Sequence, residues 1–180
     1  MTIIDIIYCV IAPLIFLGVV SCGFGSQQAK IVPAPTLFFV KKPLKKWLAD
    51  NLIPENVQMA ELGCGWGGMI SLFHRQGIRK IIGYETSLIP YLFCKIRFLF
   101  YPDIQIRRTD FMQADLSAYP FIYTYLSSVH MDALYLYLQN SKHPDLVVLS
   151  NAFAFSQVKA HEVIPCAPKL GVSLFVYKNL

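Results

Sequence analysis

Charge is scarce in this 180-residue sequence: Asp, Glu, Lys and Arg make up 15% of it, against about 25% in an ordinary soluble domain. Hydrophobic residues reach 55%. This balance excludes a disordered tail, a collagen-like chain and a charged coiled coil. No C-x-x-C pair occurs among the five cysteines, Cys9, Cys22, Cys64, Cys94 and Cys166. They fit neither a disulfide framework nor a zinc site, and point to a reducing compartment. No nucleophile elbow, internal repeat or low-complexity tract is present. The length gives room for one domain and a short appendage.

Residues 6–29 contain no charged residue, and the apolar core of that run is Ile6–Gly25. At about 1.5 Å per residue, such a helix matches the roughly 30 Å hydrocarbon layer. Pro13 is tolerable there. The expected organisation is a transmembrane anchor over 1–29 and a single domain over 30–180. A cleaved lipoprotein leader ending at Val19-Val20-Ser21-Cys22 is the rival reading, although the start carries Asp5 and no basic residue. Lys30, Lys41, Lys42, Lys45 and Lys46 follow the run with no acid among them. The positive-inside rule then puts the domain on the cytoplasmic, or topologically equivalent matrix, side. Most of the net charge of +5 reads as this juxtamembrane patch facing anionic lipid, not as a nucleic-acid surface.

Beyond the Pro33/Pro35 linker, Thr36 is a plausible N-cap. Val40, Leu44, Trp47 and Leu48 share one helical face. Pro43 interrupts that pattern and suggests a helix starting at or after it. From Val57 strand and helix signals alternate. Strands are predicted over 57–62, 80–84, 104–109, 121–126 and 146–150. Helices are predicted over 67–76, 88–100 and 128–141. The segments 161–165 and 172–178 are too close together for a helical crossover, so they should pair antiparallel. The rest implies an α/β fold with a mostly parallel sheet. The greasy helix 88–100 reads most simply as buried core, with bilayer contact as the sharper alternative.

Chemistry concentrates in Glu61-Leu62-Gly63-Cys64-Gly65-Trp66-Gly67-Gly68, between a strand and a helix. Glycines allow close backbone approach to a ligand, and a helix start offers free N–H groups. The second strand ends in Gly83-Tyr84-Glu85, where an acid can bind both ribose hydroxyls. The third ends in Asp110-Phe111. Gly63-x-Gly65-x-x-Gly68 also satisfies the dinucleotide fingerprint. Against that stand Glu61 two residues ahead of the glycines, the third acid Asp110, and the lack of chain for a substrate domain.

This set resembles the class I, seven-strand S-adenosylmethionine (SAM)-dependent methyltransferases. The resemblance runs from about Pro33 to the C-terminus and implies a Rossmann-like, seven-stranded, mostly parallel sheet with an antiparallel C-terminal strand pair. It also implies SAM as cofactor and no metal. Glu61, Gly63 and Gly65 would surround the methionine part, and Gly67 would lead the turn into its helix. Glu85 would take the ribose hydroxyls, and Asp110 and Phe111 the adenine. Within the class, the chain looks similar to small membrane-anchored lysine methyltransferases. The shared features are the membrane helix, the lead Val32-Pro33-Ala34-Pro35-Thr36, the Gly-Tyr-Glu strand end and the stretch Tyr119–Leu138. It departs from them at Glu61, where they usually have Asp, and at Trp66, where they have an acid.

The resemblance implies methyl transfer at the membrane, to a protein lysine or else to a lipid head group or small molecule. Trp66 and the short segment after the fifth strand leave a non-catalytic scaffold as a rival from another class. Acceptor-side candidates follow the fourth and fifth strands: Ser127, Ser128, His130 and Asp132, then Asn151, Phe153 and Phe155. Ser128, His130 and Asn151 are the catalytic candidates, His130 being equally an ordinary first-turn helix residue. Leu126-Ser127-Ser128-Val129 stands where base-methylating enzymes carry Asn/Asp-Pro-Pro-Tyr/Phe, which argues against a nucleic-acid base. Tyr119, Phe121, Tyr123 and Tyr125 alternate as packing residues would.

Overall fold

A computed structural model describes residues 37–51, 53–54, 56–140 and 143–180. The anchor expected over 1–29, the Cys22 site and the Thr36 cap lie outside the described residues. Among those residues no helix is long and apolar enough to cross a membrane.

Helix α1 (Leu37–Asp50) is followed by β1 (Gln58–Leu62), α2 (Gly68–Arg75), β2 (Lys80–Tyr84), α3 (Leu88–Arg97) and β3 (Ile104–Arg107). Then come β4 (Phe121–Thr124), α4 (Ser128–Asn140), β5 (Val147–Asn151), β6 (Glu162–Ala167) and β7 (Val172–Lys178). The seven strands form one sheet in the order β3-β2-β1-β4-β5-β7-β6. β1 to β5 are parallel, and β7 runs antiparallel to both β5 and β6. The closing pair is therefore antiparallel, as its short connection requires. A 3-10 turn at Pro168–Leu170 and Gly171 at φ 67° make that connection. Pro165 fits in edge strand β6, beside a register shift, because an edge residue can do without its N–H.

Alternation along the strands feeds two apolar layers. Met59, Ile81, Phe121, Tyr123, Leu149 and Val176 meet α1, α2 and α3 on one face. Ala60, Leu62, Ile122, Val148 and Tyr177 meet Met131, Leu134 and Leu138 of α4 on the other. That second layer is thinner. A 3-10 turn at Phe111–Gln113 and irregular chain join β3 to β4, and residues 152–161 join β5 to β6 without a helix.

Two expectations need correction. α1 does not wait for Pro43 but runs through it. Val40, Leu44, Trp47 and Leu48 are buried on one side, and the Trp47 indole donates to Glu162 Oε2 at 2.9 Å. That packing offsets the hydrogen bond a mid-helix proline forfeits. Nor is the 88–100 segment core throughout: Phe98, beyond the helix, is buried, but most of the segment is not. α3 ends at Arg97, and within it only Pro90 and Cys94 are buried.

Candidate functional site

The order of the sheet reverses between β1 and β4, and parallel sheets bind ligands in the crevice at the carboxyl edge where that happens. The glycine turn leaves β1 at this edge. Gly63, Gly65 and Gly67 all have positive φ, at 74°, 51° and 71°. The roles of the last two differ. A Cβ on Gly65 would meet nothing within 4 Å, so that backbone borders open space. A Cβ on Gly67, which caps α2, would stand 2.6 Å from the Phe98 ring. Gly67 is thus glycine so that α3 can pack against the turn.

Glu85, directly after β2, holds the turn in shape. Its Oε2 accepts from Gly65 N at 2.8 Å and its Oε1 from Ser87 N at 2.7 Å. Each oxygen keeps lone-pair capacity for a further donor. Cys94 of α3 donates its thiol to the Gly65 carbonyl at 3.1 Å, and Arg97 donates to the Trp66 carbonyl at 2.8 Å. Asp110 follows β3, is exposed, and accepts from Met112 N at 3.0 Å, with Phe111 buried beside it.

Glu61 is buried at the end of β1, and its Oε2 has no hydrogen-bond partner. Burial is the main cause that pushes its carboxyl well above the usual range, and the charges of Cys94 and Glu85 add to it. The Ile70 backbone N–H opposes the shift. An unpaired buried acceptor is costly unless a ligand satisfies it. The open flank of Gly65, the Glu85 carboxylate and the orphaned Glu61 oxygen together fit a ligand that carries a diol and a positive charge.

At the neighbouring end of the edge, Asn151 closes β5. It is buried, and its Oδ1 has no partner. The fully buried Tyr123 hydroxyl likewise has no partner at good hydrogen-bond geometry; burial holds it in the phenol form, with the Glu61 charge adding to the shift and polar contact with the neighbouring Asn151 side chain opposing it. Tyr125 and Phe153 stack at 6.0 Å beside them, after β4 and β5. Ser127 Oγ lies 2.8 Å from His130 Nδ1, and Ser128 is exposed. Asp132 is engaged by the Ser156 hydroxyl and N–H, and Phe155 is core, packed on Tyr177 at 4.5 Å. An open groove of ≈ 410 Å³ lined by residues 154–160, Val163 and Phe175 includes none of the three site acids.

Cys94 and the Tyr123 hydroxyl were not legible as site residues. A cysteine on a greasy helix and a tyrosine in an alternating strand look like packing, and nothing in the pattern announces a partner or its lack.

A 3-2-1-4-5-7-6 sheet with a glycine turn, an acid at the end of its first strand and acids after its second and third defines a class I SAM-dependent methyltransferase. The family model described as the ANTKMT methyltransferase domain matches residues 61–162, and the chain belongs to that family. No curated protein matches it. Solved structures share the fold. An RNA methyltransferase from Salinibacter ruber with S-adenosyl-L-homocysteine has a TM-score of 0.67 at 20% identity, covering 82% of this chain and 94% of its own. The putative Escherichia coli methyltransferase yhhF gives 0.65 at 10%, with coverages of 78% and 85%. The ribosomal protein L11 methylase from Lactobacillus delbrueckii subsp. bulgaricus gives 0.59 at 12%, with 76% and 77%. The chain is an enzyme that uses SAM.

Proposed function

We propose that the chain methylates a protein lysine at a membrane, held there by residues 1–29 with its domain on the cytoplasmic or matrix-equivalent side. SAM supplies an electrophilic methyl group on a sulfonium. Glu61 would pair with the positive charge of its methionine part, beside the backbone of Gly63 and Gly65. Glu85 would take the ribose hydroxyls, and Asp110 and Phe111 the adenine.

The observation that carries the lysine reading is the unpaired Asn151 Oδ1, buried beside the Tyr125–Phe153 stack. Transfer needs the neutral amine, and an apolar, aromatic mouth disfavours ammonium. Asn151 would accept one amine N–H and aim the nitrogen lone pair at the methyl carbon. Bound SAM would supply the methyl carbon and take the carbon–sulfur electron pair on its sulfur as the amine attacks, and the methylated ammonium would release its proton to water. The uncharged, largely apolar run of residues 6–29 supports the anchor, and the five lysines after it support the orientation. Among the structural neighbours one acts on RNA and one on a ribosomal protein, so the fold does not choose the acceptor. The absence of a base-binding motif after β4 favours an amine over a nucleobase.

Labelled-methyl transfer to whole membranes tests this. Protease-sensitive label in lysine is expected, and label confined to the lipid extract would refute it. Asn151→Ala should reduce transfer by about 1–2 kcal/mol, roughly 5- to 30-fold, without weakening SAM binding. The 2.8 Å Ser127–His130 contact favours a second reading, in which His130 is the base for an oxygen acceptor. It predicts lipid label that disappears in His130→Ala.

A further inference from the structure

α3 turns its apolar side outward. Leu88, Leu92 and Ile96 recur at helical spacing and are 47%, 48% and 75% exposed. Phe93 at 45%, and Leu99 and Phe100 in the turn beyond at 69% and 88%, extend the stripe. A continuous apolar face of this kind marks an interaction surface.

Charge identifies its occupant. Between Thr86 and Pro102 the charged residues are Lys95 and Arg97, with no acid. α1 packs into the same side of the sheet and exposes Lys41, Lys42, Lys45 and Lys46. α4, on the other side, carries a single charged residue, Asp132, apart from His130. Apart from Asp50 at the end of α1, the charges that α1 and α3 carry are all cationic, as suits insertion at an anionic lipid surface. Trp66 joins it from the glycine turn: it is 39% exposed and meets the Phe93 ring edge-on at 5.1 Å. An aromatic ring beside cationic residues is favoured at the headgroup level.

We infer that the outer face of α3, with Trp66, docks on a bilayer surface rich in anionic lipid. This rests on the membrane reading above and goes beyond it, since an anchor alone would leave the domain free to face any direction. The docked face adjoins the cofactor turn, because Cys94 and Arg97 bond the carbonyls of Gly65 and Trp66.

The two tryptophans, Trp47 and Trp66, provide the test. Trp47 is buried, whereas Trp66 lies on the proposed face. The full chain is reconstituted in vesicles of phosphatidylserine and brominated phosphatidylcholine, and flotation is measured alongside tryptophan emission. Wild type should float and lose roughly half its emission, as expected when one of two rings sits at the boundary between headgroups and acyl chains. Trp66→Phe should float and be quenched little. Ile96→Asp/Phe100→Asp changes two exposed side chains, so it should fold and float but escape quenching. Exchanging phosphatidylserine for phosphatidylcholine should also relieve quenching. A floating wild type whose emission is unquenched, or quenched equally with Trp66 replaced, overturns the α3 surface alone and points to a protein partner. Quenching that is unchanged without phosphatidylserine overturns the anionic preference. A chain that fails to float overturns the anchor and the surface together.

Discussion

Gly65 and Gly83 are both glycines beside the turn, and an added methyl group does different things at each. At Gly83 it would lie 2.7 Å from Ile70 Cδ1 and 2.9 Å from Cys64 Sγ. Gly83→Ala should therefore cost about 1–3 kcal/mol of stability through overpacking. At Gly65 it meets open space, and the cost is the left-handed φ alone, about 1–2 kcal/mol. Yet that open space is where SAM would lie, so Gly65→Ala should remove calorimetrically detectable SAM binding from a folded protein. Glu61 shows a similar division. Its folded-state pKa is raised, so ionising it costs folding free energy. This contribution makes the cofactor-free protein less stable as pH rises from the unfolded carboxyl value through the folded one. Glu61→Gln should gain stability over wild type progressively as pH rises above the unfolded carboxyl value, read from denaturant melts, while weakening SAM binding about tenfold or more. The acids and glycines could be singled out as candidates because each sits at a fixed offset from a strand end. The orphaned state of Asn151 and Tyr123 was not legible, since lack of a partner is a property of the packed edge and not of any one residue.

At the scale of elements, α1 shows where sequence rules and tertiary packing compete. Pro43 cannot donate to the Phe39 carbonyl one turn earlier, and local rules would start the helix there. Four buried residues on one side hold the helix continuous instead. Pro43→Ala restores the donor with the packing face intact, and should raise stability by about 1–3 kcal/mol, read from the urea midpoint at unchanged m-value. α3 misled in the other direction. Its composition suits burial, but it lies over β3, an edge strand of the sheet, and no further helix of the described residues covers it. Burial there depends on neighbours that periodicity does not reveal. β2 and β7 fell on their predicted bounds because their ends are set by local punctuation, Gly77 before β2 and Gly171 before β7.

For the whole molecule, the arrangement of sheet and turn makes ligand binding and folding one equilibrium. Glu85 ties the turn after β1 to the end of β2 through Gly65 N, while Gly63 N and Cys64 N donate to the Tyr84 carbonyl at 3.0 and 2.9 Å. Cys94 ties the same turn to α3. A ligand in the turn thus bears on the strands at the centre of the sheet and on a helix packed across it. The unpaired Glu61 oxygen marks a cost that the free protein carries and that a donor or cation on a bound ligand would relieve. SAM at a hundred times its dissociation constant should stabilise the full chain by about 2.7 kcal/mol, raising the melting midpoint by roughly 5–10 °C. NAD offers a diol to Glu85 but no ammonium to Glu61, and should shift the midpoint little. Removing Glu61 in Glu61→Gln should shrink the SAM shift and leave the NAD result where it was. A shift with NAD as large as that with SAM would mean that the carboxylate after β2 recognises any ribose, and that Glu61 has no part in choosing the cofactor.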